Sequence, residues 1–181
     1  MAGLMDDLLE LTRLEAHAIQ LHTELQPIED VIGVALGRME RAMRNHPVAS
    51  HIDDGLPPVA IDELLMQQVL TNLLDNAVKF SPPGSTIDLS CRRDGPNLVL
   101  AVADRGPGVP PDETQRIFDK FHSVPGQARS GSGIGLAICR GITELHGGSI
   151  CVENRPGGGA IFRLTLPLAD ESRLLSVHRE G

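Results

Sequence analysis

The sequence predicts an α+β fold, a two-layer α/β sandwich in which helices cover one face of a mixed, mostly antiparallel sheet. Three observations predict it. Runs of β-branched and apolar residues at Thr86 to Arg93 and Leu98 to Asp104, and again at Ser149 to Glu153 and Ala160 to Leu166, flank the turns Gly95-Pro96-Asn97 and Pro156-Gly157-Gly158-Gly159, the pattern of two hairpins. Apolar residues recur at helical steps in segments starting near Met1, Ile28, Asp62 and Ile134. Strands and helices interleave without the regular strand-helix-strand rhythm of a doubly wound parallel sheet.

In chain order, Leu4, Leu8, Leu11, Leu14, Ala18 and Leu21 form a stripe on a first helix that runs to about Leu25, ahead of Pro27. Such a stripe must be buried, either on its own domain or on a partner helix. Ile28, Val31, Ile32, Ala35, Leu36, Met39 and Met43 mark a second helix. Pro47 and Asp53-Asp54-Gly55-Leu56-Pro57-Pro58 then place turns around two short strands. Asp62 caps a third helix that ends near Phe80, before Ser81-Pro82-Pro83-Gly84. A short helix is expected from Asp112 to Phe118, and a mobile loop from Ser123 to Ser132, where the chain is small, polar and without period. Ile134 to Leu145 reads as a helix closed by His146-Gly147-Gly148, and Asp170 to Gly181 as a frayed tail.

The 181 residues suit one core with attachments: a domain over 28–168, an N-terminal helix and linker over 1–27, and a flexible tail over 169–181. A net charge of −8 with no basic stripe argues against nucleic-acid binding. No apolar run approaches the ~20 residues that cross a bilayer, so no membrane contact is expected of this segment. Cys91, Cys139 and Cys151 lie far apart among apolar neighbours, and the acidic start lacks a signal-peptide pattern, which points to a reducing, cytoplasmic setting.

Three places could carry chemistry. Gln68, Asn72, Asn76 and Lys79 share one stripe of the third helix, a pattern that fits a solvated face. Asparagines are poor helix formers, however, and their amide oxygens beside a lysine would suit Mg²⁺ and phosphate. Asp104-Arg105-Gly106-Pro107-Gly108 ends a strand. It is either a plain turn or a carboxylate placed to accept a hydrogen bond from an adenine amine, with glycines that let backbone approach the base. Gly131-Ser132-Gly133-Ile134-Gly135 opens a helix, as a flexible connector or as a phosphate-facing N-terminus. The P-loop and the Rossmann spacing are both absent.

The order of NLLDNAVKF at 72–80, DRGPGVP at 104–110, IFDKF at 117–121 and GSGIGLAI at 131–138 resembles the catalytic, ATP-binding domain of sensor histidine kinases, in the superfamily shared with gyrase, Hsp90 and MutL. These strings resemble its N box, first glycine box, F box and second glycine box, over roughly residues 28 to 167. The stretches LLELTRLEAHAIQLHTELQPIEDVIGVAL and ENRPGGGAIFRLTLP are most similar to the potassium-responsive, KdpD-type sensor kinases.

The resemblance implies a Bergerat-type fold and two cofactors, ATP and Mg²⁺. It assigns Asn76 and Asn72 to the metal, Lys79 to phosphate oxygens, Phe80 to stacking on adenine and Asp104 to the adenine amine. Gly106 and Gly108 would shape the base pocket. Gly131, Gly133, Gly135 and Leu136 would form the phosphate-facing end of a lid that Phe118 and Phe121 anchor, with Arg129 as a phosphate contact. An amide at Asn72, where hydrolytic relatives carry glutamate, cannot activate water, so phosphoryl transfer rather than hydrolysis is expected. The acceptor string H-E-x-x-x-P is absent around all seven histidines.

The resemblance therefore implies a partner histidine-containing dimerisation domain, a response regulator downstream, and a homodimer through residues 4–25. The first helix would be the end of a dimerisation helix, and the parent protein would be attached to the inner membrane. Two other activities fit the residues: a serine kinase of the anti-sigma-factor type, and a non-catalytic nucleotide-binding module.

Overall fold

A computed structural model describes residues 2–16, 18–124 and 132–169. Its elements are α1 (Ala2–Glu15), β1 (Glu24–Gln26), α2 (Ile28–Met39), β2 (Val48–Ile52), β3 (Val59–Ile61), α3 (Glu63–Phe80), β4 (Ile87–Asp94), β5 (Asn97–Ala103), α4 (Gly135–Leu145), β6 (Ser149–Asn154) and β7 (Ala160–Pro167), with a 3₁₀ turn at Arg116–Phe118. The main sheet has the order β2-β4-β5-β7-β6. Only β2–β4 is parallel; the other three pairings are antiparallel. The mixed, mostly antiparallel sheet is the one expected from sequence.

Alternation along the strands sets the two faces. Leu89, Leu100 and Leu164 are fully buried and share one core with Ile28 and Ile32 of α2, Leu70 and Leu74 of α3, and Ile138 and Ile142 of α4. Ser90, Ala101 and Arg163 stand in register on the opposite face. The helices α2, α3 and α4 thus cover one face, the second layer of the sandwich.

Local signals explain the ends of the helices. The Asp62 side chain accepts from the Leu65 N–H at 3.2 Å and caps α3. α4 ends where Gly147 takes φ +72° and Gly148 N–H reaches the Thr143 carbonyl at 3.0 Å. His146 does more than close that helix. Its Nε2 faces the Asp62 N–H at 3.0 Å, so it must accept; Nδ1 then carries the proton and donates to the Ile142 carbonyl at 2.8 Å. One buried imidazole ties the end of α4 to the start of α3.

Several boundaries differ from the sequence expectation. The first helix stops at Glu15, closed by Ala18 N–H on the Arg13 carbonyl at 2.9 Å, and does not reach Leu25. Glu24–Gln26 instead forms a strand antiparallel to Val59–Ile61, because β3 supplies partners that no helical periodicity at Leu21 and Leu25 can reveal. α2 is regular only to Met39; turns through residue 45 keep Met43 buried. The expected helix from Asp112 shrinks to Arg116–Phe118, with turns before it. Leu11 is buried and Leu14 packs on the core beside α4, whereas Met5, Leu8 and Leu9 are exposed, so α1 uses only part of its stripe on its own domain. The expected tail over 170–181 and most of the expected loop, residues 125–131, lie outside the described residues.

Candidate nucleotide site

One cleft opens between α3, the loop after β5, the start of α4 and the inner side of β7. α3 supplies Asn72, Asp75, Asn76, Lys79 and Phe80 to it, because Leu70, Leu73, Leu74 and Ala77 turn the other side of the helix into the core. The Asn72 amide donates to the Gly135 carbonyl at 3.4 Å, which leaves its oxygen for the cleft. The Asn76 side chain makes no hydrogen bond among the described residues. Lys79 pairs with Asp75 at 2.5 Å on the partly exposed rim. An exposed i,i+4 pair of this kind contributes little, so an arriving anion can compete for the ammonium.

Asp104 follows β5 directly and is 4% exposed. Its Oδ1 accepts from Gly106 N–H at 2.8 Å and Ala160 N–H at 3.0 Å. Oδ2 has no hydrogen-bond partner in the described residues, nor is it among the fully buried orphan atoms, so it opens to the cleft. Burial raises the carboxyl above its ordinary value of 3.8, while the two N–H groups and Arg155 draw it back. Gly106 is required by close approach: a Cβ there would lie 2.7 Å from the Phe80 carbonyl oxygen.

The far side of the cleft is the root of the segment that leads into α4. Phe121 N–H donates to the Gly133 carbonyl at 2.9 Å and so joins the two ends of residues 122–132. Phe118 is buried edge-on to Phe162 with ring centres 6.4 Å apart. Phe121 is 64% exposed at φ +57°. Only the first of the two phenylalanines is therefore packed into the core. His122 lines the cleft and bonds to the buried Glu113, which also accepts from Arg116 at 3.2 Å.

Of the residues singled out in the sequence, Asn72, Asn76, Lys79, Phe80, Asp104, Gly108, Gly133, Gly135 and Leu136 line this cleft, and Gly106 stands immediately beside it. Arg129 and Gly131 lie outside the described residues. Sequence reasoning missed Asp75, His122, Ala160 and Phe162. Asp75 was findable as the i−4 neighbour of Lys79; Ala160 enters only through strand register.

Residues 61–170 match the family described as histidine kinase-, DNA gyrase B-, and HSP90-like ATPase. The chain belongs to this ATPase family. Among its relatives, the sensor protein KdpD of Escherichia coli strain K12 is 39% identical over 178 residues, 98% of this chain and 20% of KdpD. The sensor-like histidine kinase SenX3 of Mycobacterium tuberculosis is 33% identical over 177 residues, 95% of this chain and 43% of SenX3. The chain thus spans a fifth to under half of the length of these curated relatives.

Full-length ShkA in complex with AMPPNP superposes on the ATPase domain with a TM-score of 0.82 at 34% identity, over 92% of this chain and 35% of ShkA. The mycobacterial sensor histidine kinase MprB does so with 0.72 at 29% identity, over 81% of this chain and 97% of that chain. The ATPase domain is of the sensor-histidine-kinase catalytic type and is KdpD-like in sequence. No helix among the described residues is long and apolar enough to cross a membrane.

Proposed function

We propose that this ATPase domain binds ATP with Mg²⁺ and transfers the γ-phosphoryl group to a histidine outside the chain. The observation that carries the reading is a nearly buried carboxylate with one oxygen fully bonded and the other open, in the same cleft as two side-chain amides and an ammonium. An open oxygen on a nearly buried carboxylate wants a donor, and the exocyclic amine of adenine supplies one. Phe80 offers a ring face to the base, with Gly106 and Gly108 shaping the pocket around it.

Asn76 and the free oxygen of Asn72 are neutral hard-oxygen donors without another partner, and so fit a divalent ion that takes its remaining ligands from phosphate and water. Mg²⁺ would neutralise charge on the phosphates. Lys79 exchanges Asp75 for phosphate oxygens. Gly133, Gly135 and Leu136 stand at the start of α4, where free N–H groups and the helix dipole favour the phosphate tail. Neither asparagine can take a proton from water, so hydrolysis is slow and the bound ATP waits for a better nucleophile. Position and charge neutralisation then do the chemistry.

The domain over 28–168 is the nucleotide-binding unit in this reading, and α1 is the end of a dimerisation helix. The exposed Met5, Leu8 and Leu9 support that role, since they remain for a second helix after Leu11 has been buried on α4. The partners are a histidine-bearing dimerisation domain, a second copy through residues 4–25, and a response regulator that takes the phosphoryl group onward. Cys91, Cys139 and Cys151 are joined by no disulfide among the described residues, which suits a cytoplasmic setting, with the parent protein held at the inner membrane. The test is to mix the domain with a matching dimerisation domain and γ-labelled ATP. Acid-labile phosphohistidine on the partner is expected, and its absence at every ratio would overturn the transfer reaction.

A further inference from the structure

The loop that carries the base-reading carboxylate is fixed largely from the edge of the sheet. At its start, Asp104 exchanges two bonds with Ala160 of β7: its N–H donates to the Ala160 carbonyl at 2.9 Å, and its Oδ1 accepts the Ala160 N–H at 3.0 Å. At its far end stands a single side chain. Asn154, the last residue of β6, accepts the Val109 N–H at Oδ1 (2.8 Å) and donates from Nδ2 to the Val109 carbonyl (2.7 Å). The backbone partners fix which way this amide points, since an N–H can only donate and a carbonyl can only accept. One amide thus pairs with both polar groups of one residue, as a neighbouring strand would, on an edge strand whose other side is taken by β7.

The packing is as close as the bonding. A Cβ on Gly108, which has φ +78°, would lie 2.6 Å from the Asn154 oxygen and 3.3 Å from the Gly159 carbonyl. Arg155, next to Asn154, and Arg105, next to Asp104, both bond Asp88, at 2.5 and 2.9 Å. The loop and the β6–β7 turn are therefore laid against each other along their length. Gly108 and Val109 line the cleft itself.

We propose that Asn154 is a positioning residue for base recognition: by clamping Val109 it holds the loop after β5 against the β6–β7 hairpin, with the open oxygen of Asp104 facing the purine. This rests on the ATP reading above and deepens it. Without the clamp, Asp104 stays bonded to Ala160, but residues between it and Val109 lose their outer anchor. Ordering them then falls to the nucleotide, at the expense of affinity. The loss is the same for every ligand that shares the base, whatever its phosphates. Aspartate is no substitute, because it keeps the acceptor for Val109 N–H but sets a carboxylate oxygen against the Val109 carbonyl.

The experiment measures AMPPNP and ADP binding by calorimetry with Mg²⁺ in the wild-type chain, Asn154→Ala and Asn154→Asp, with amide hydrogen exchange at Val109 and at Leu100 in β5. Both variants are expected to bind both nucleotides about tenfold more weakly, the worth of a clamp of this strength. In Asn154→Ala, Val109 should exchange quickly while Leu100 stays protected. Wild-type affinity in a folded Asn154→Ala protein overturns this inference alone. Lost protection at Leu100 as well overturns it in favour of a general structural role. A wild-type chain that binds neither nucleotide overturns the ATP reading, and this inference with it.

Discussion

Replacing Asp104 by asparagine separates base recognition from the fold. In the native domain Oδ1 receives two backbone N–H groups, from Gly106 at 2.8 Å and Ala160 at 3.0 Å. The asparagine oxygen must take that place, since an NH₂ there would face two donors. Its NH₂ group then occupies the position of Oδ2, so a donor meets the adenine amine where an acceptor stood. The loss is one charge-assisted hydrogen bond, ~1.5–3 kcal/mol, or roughly 10- to 150-fold in Kd. The fold should not suffer, because both N–H groups keep their acceptor and a charge that burial disfavours is removed. Calorimetry with AMPPNP gives the affinity, and thermal melting gives the stability. Equal AMPPNP affinity in the two proteins would refute the base-reading role, and a fall in melting temperature would show that the carboxylate serves the fold instead.

The same carboxyl sets a pH dependence. Its value in the free domain lies above 3.8 because of burial, and a bound amine favours the ionised form, so adenine-nucleotide affinity is full above that raised value and falls as pH drops through it. For folding the sign is opposite: a raised folded value makes this group most favourable to the fold in acid, an advantage lost as pH rises through it. Titrating Kd from neutral pH downward should show an acid limb in the native domain that Asp104→Asn lacks. At the β6–β7 turn, Gly159 has φ +107°, and a Cβ there would lie 2.1 Å from the Asp104 carbonyl oxygen. Gly159→Ala is expected to cost ~1–3 kcal/mol of stability in urea titration, through strain in a backbone region that side chains avoid. Unchanged stability would count against the close contact.

Much of the site was legible because its residues recur along single elements. Asn72, Asn76 and Lys79 share a face at helical spacing, and the apolar side of the same helix dictates that this face is turned away from the core. Asp104 ends a strand whose hydrophobic pattern runs up to it. Other parts left no local trace. Leu21 and Leu25 fit a helical stripe, yet residues 24–26 pair with a strand 35 positions on, as Glu24 opposes Ile61 and Gln26 opposes Val59. Phe118 and Phe121 look alike in sequence, but one is buried against Phe162 and the other is exposed. His146 reads as a helix end, and only the folded chain brings Asp62 to its other nitrogen.

Hydrophobic period, capping residues and glycine-rich turns act over a few residues, so the sequence by itself determined the helices, the hairpins and the ATPase family to which their motifs belong. Tertiary structure decided which atoms of those motifs are free. Whether an Asp104 oxygen is spent or open and what fastens the loop beyond Gly108 depend on β7 and β6, which lie about fifty residues later in the chain and reach the site through strand register. Register is settled by the packing of the whole sheet on its helices, a sum over distant contacts that no short window of residues contains.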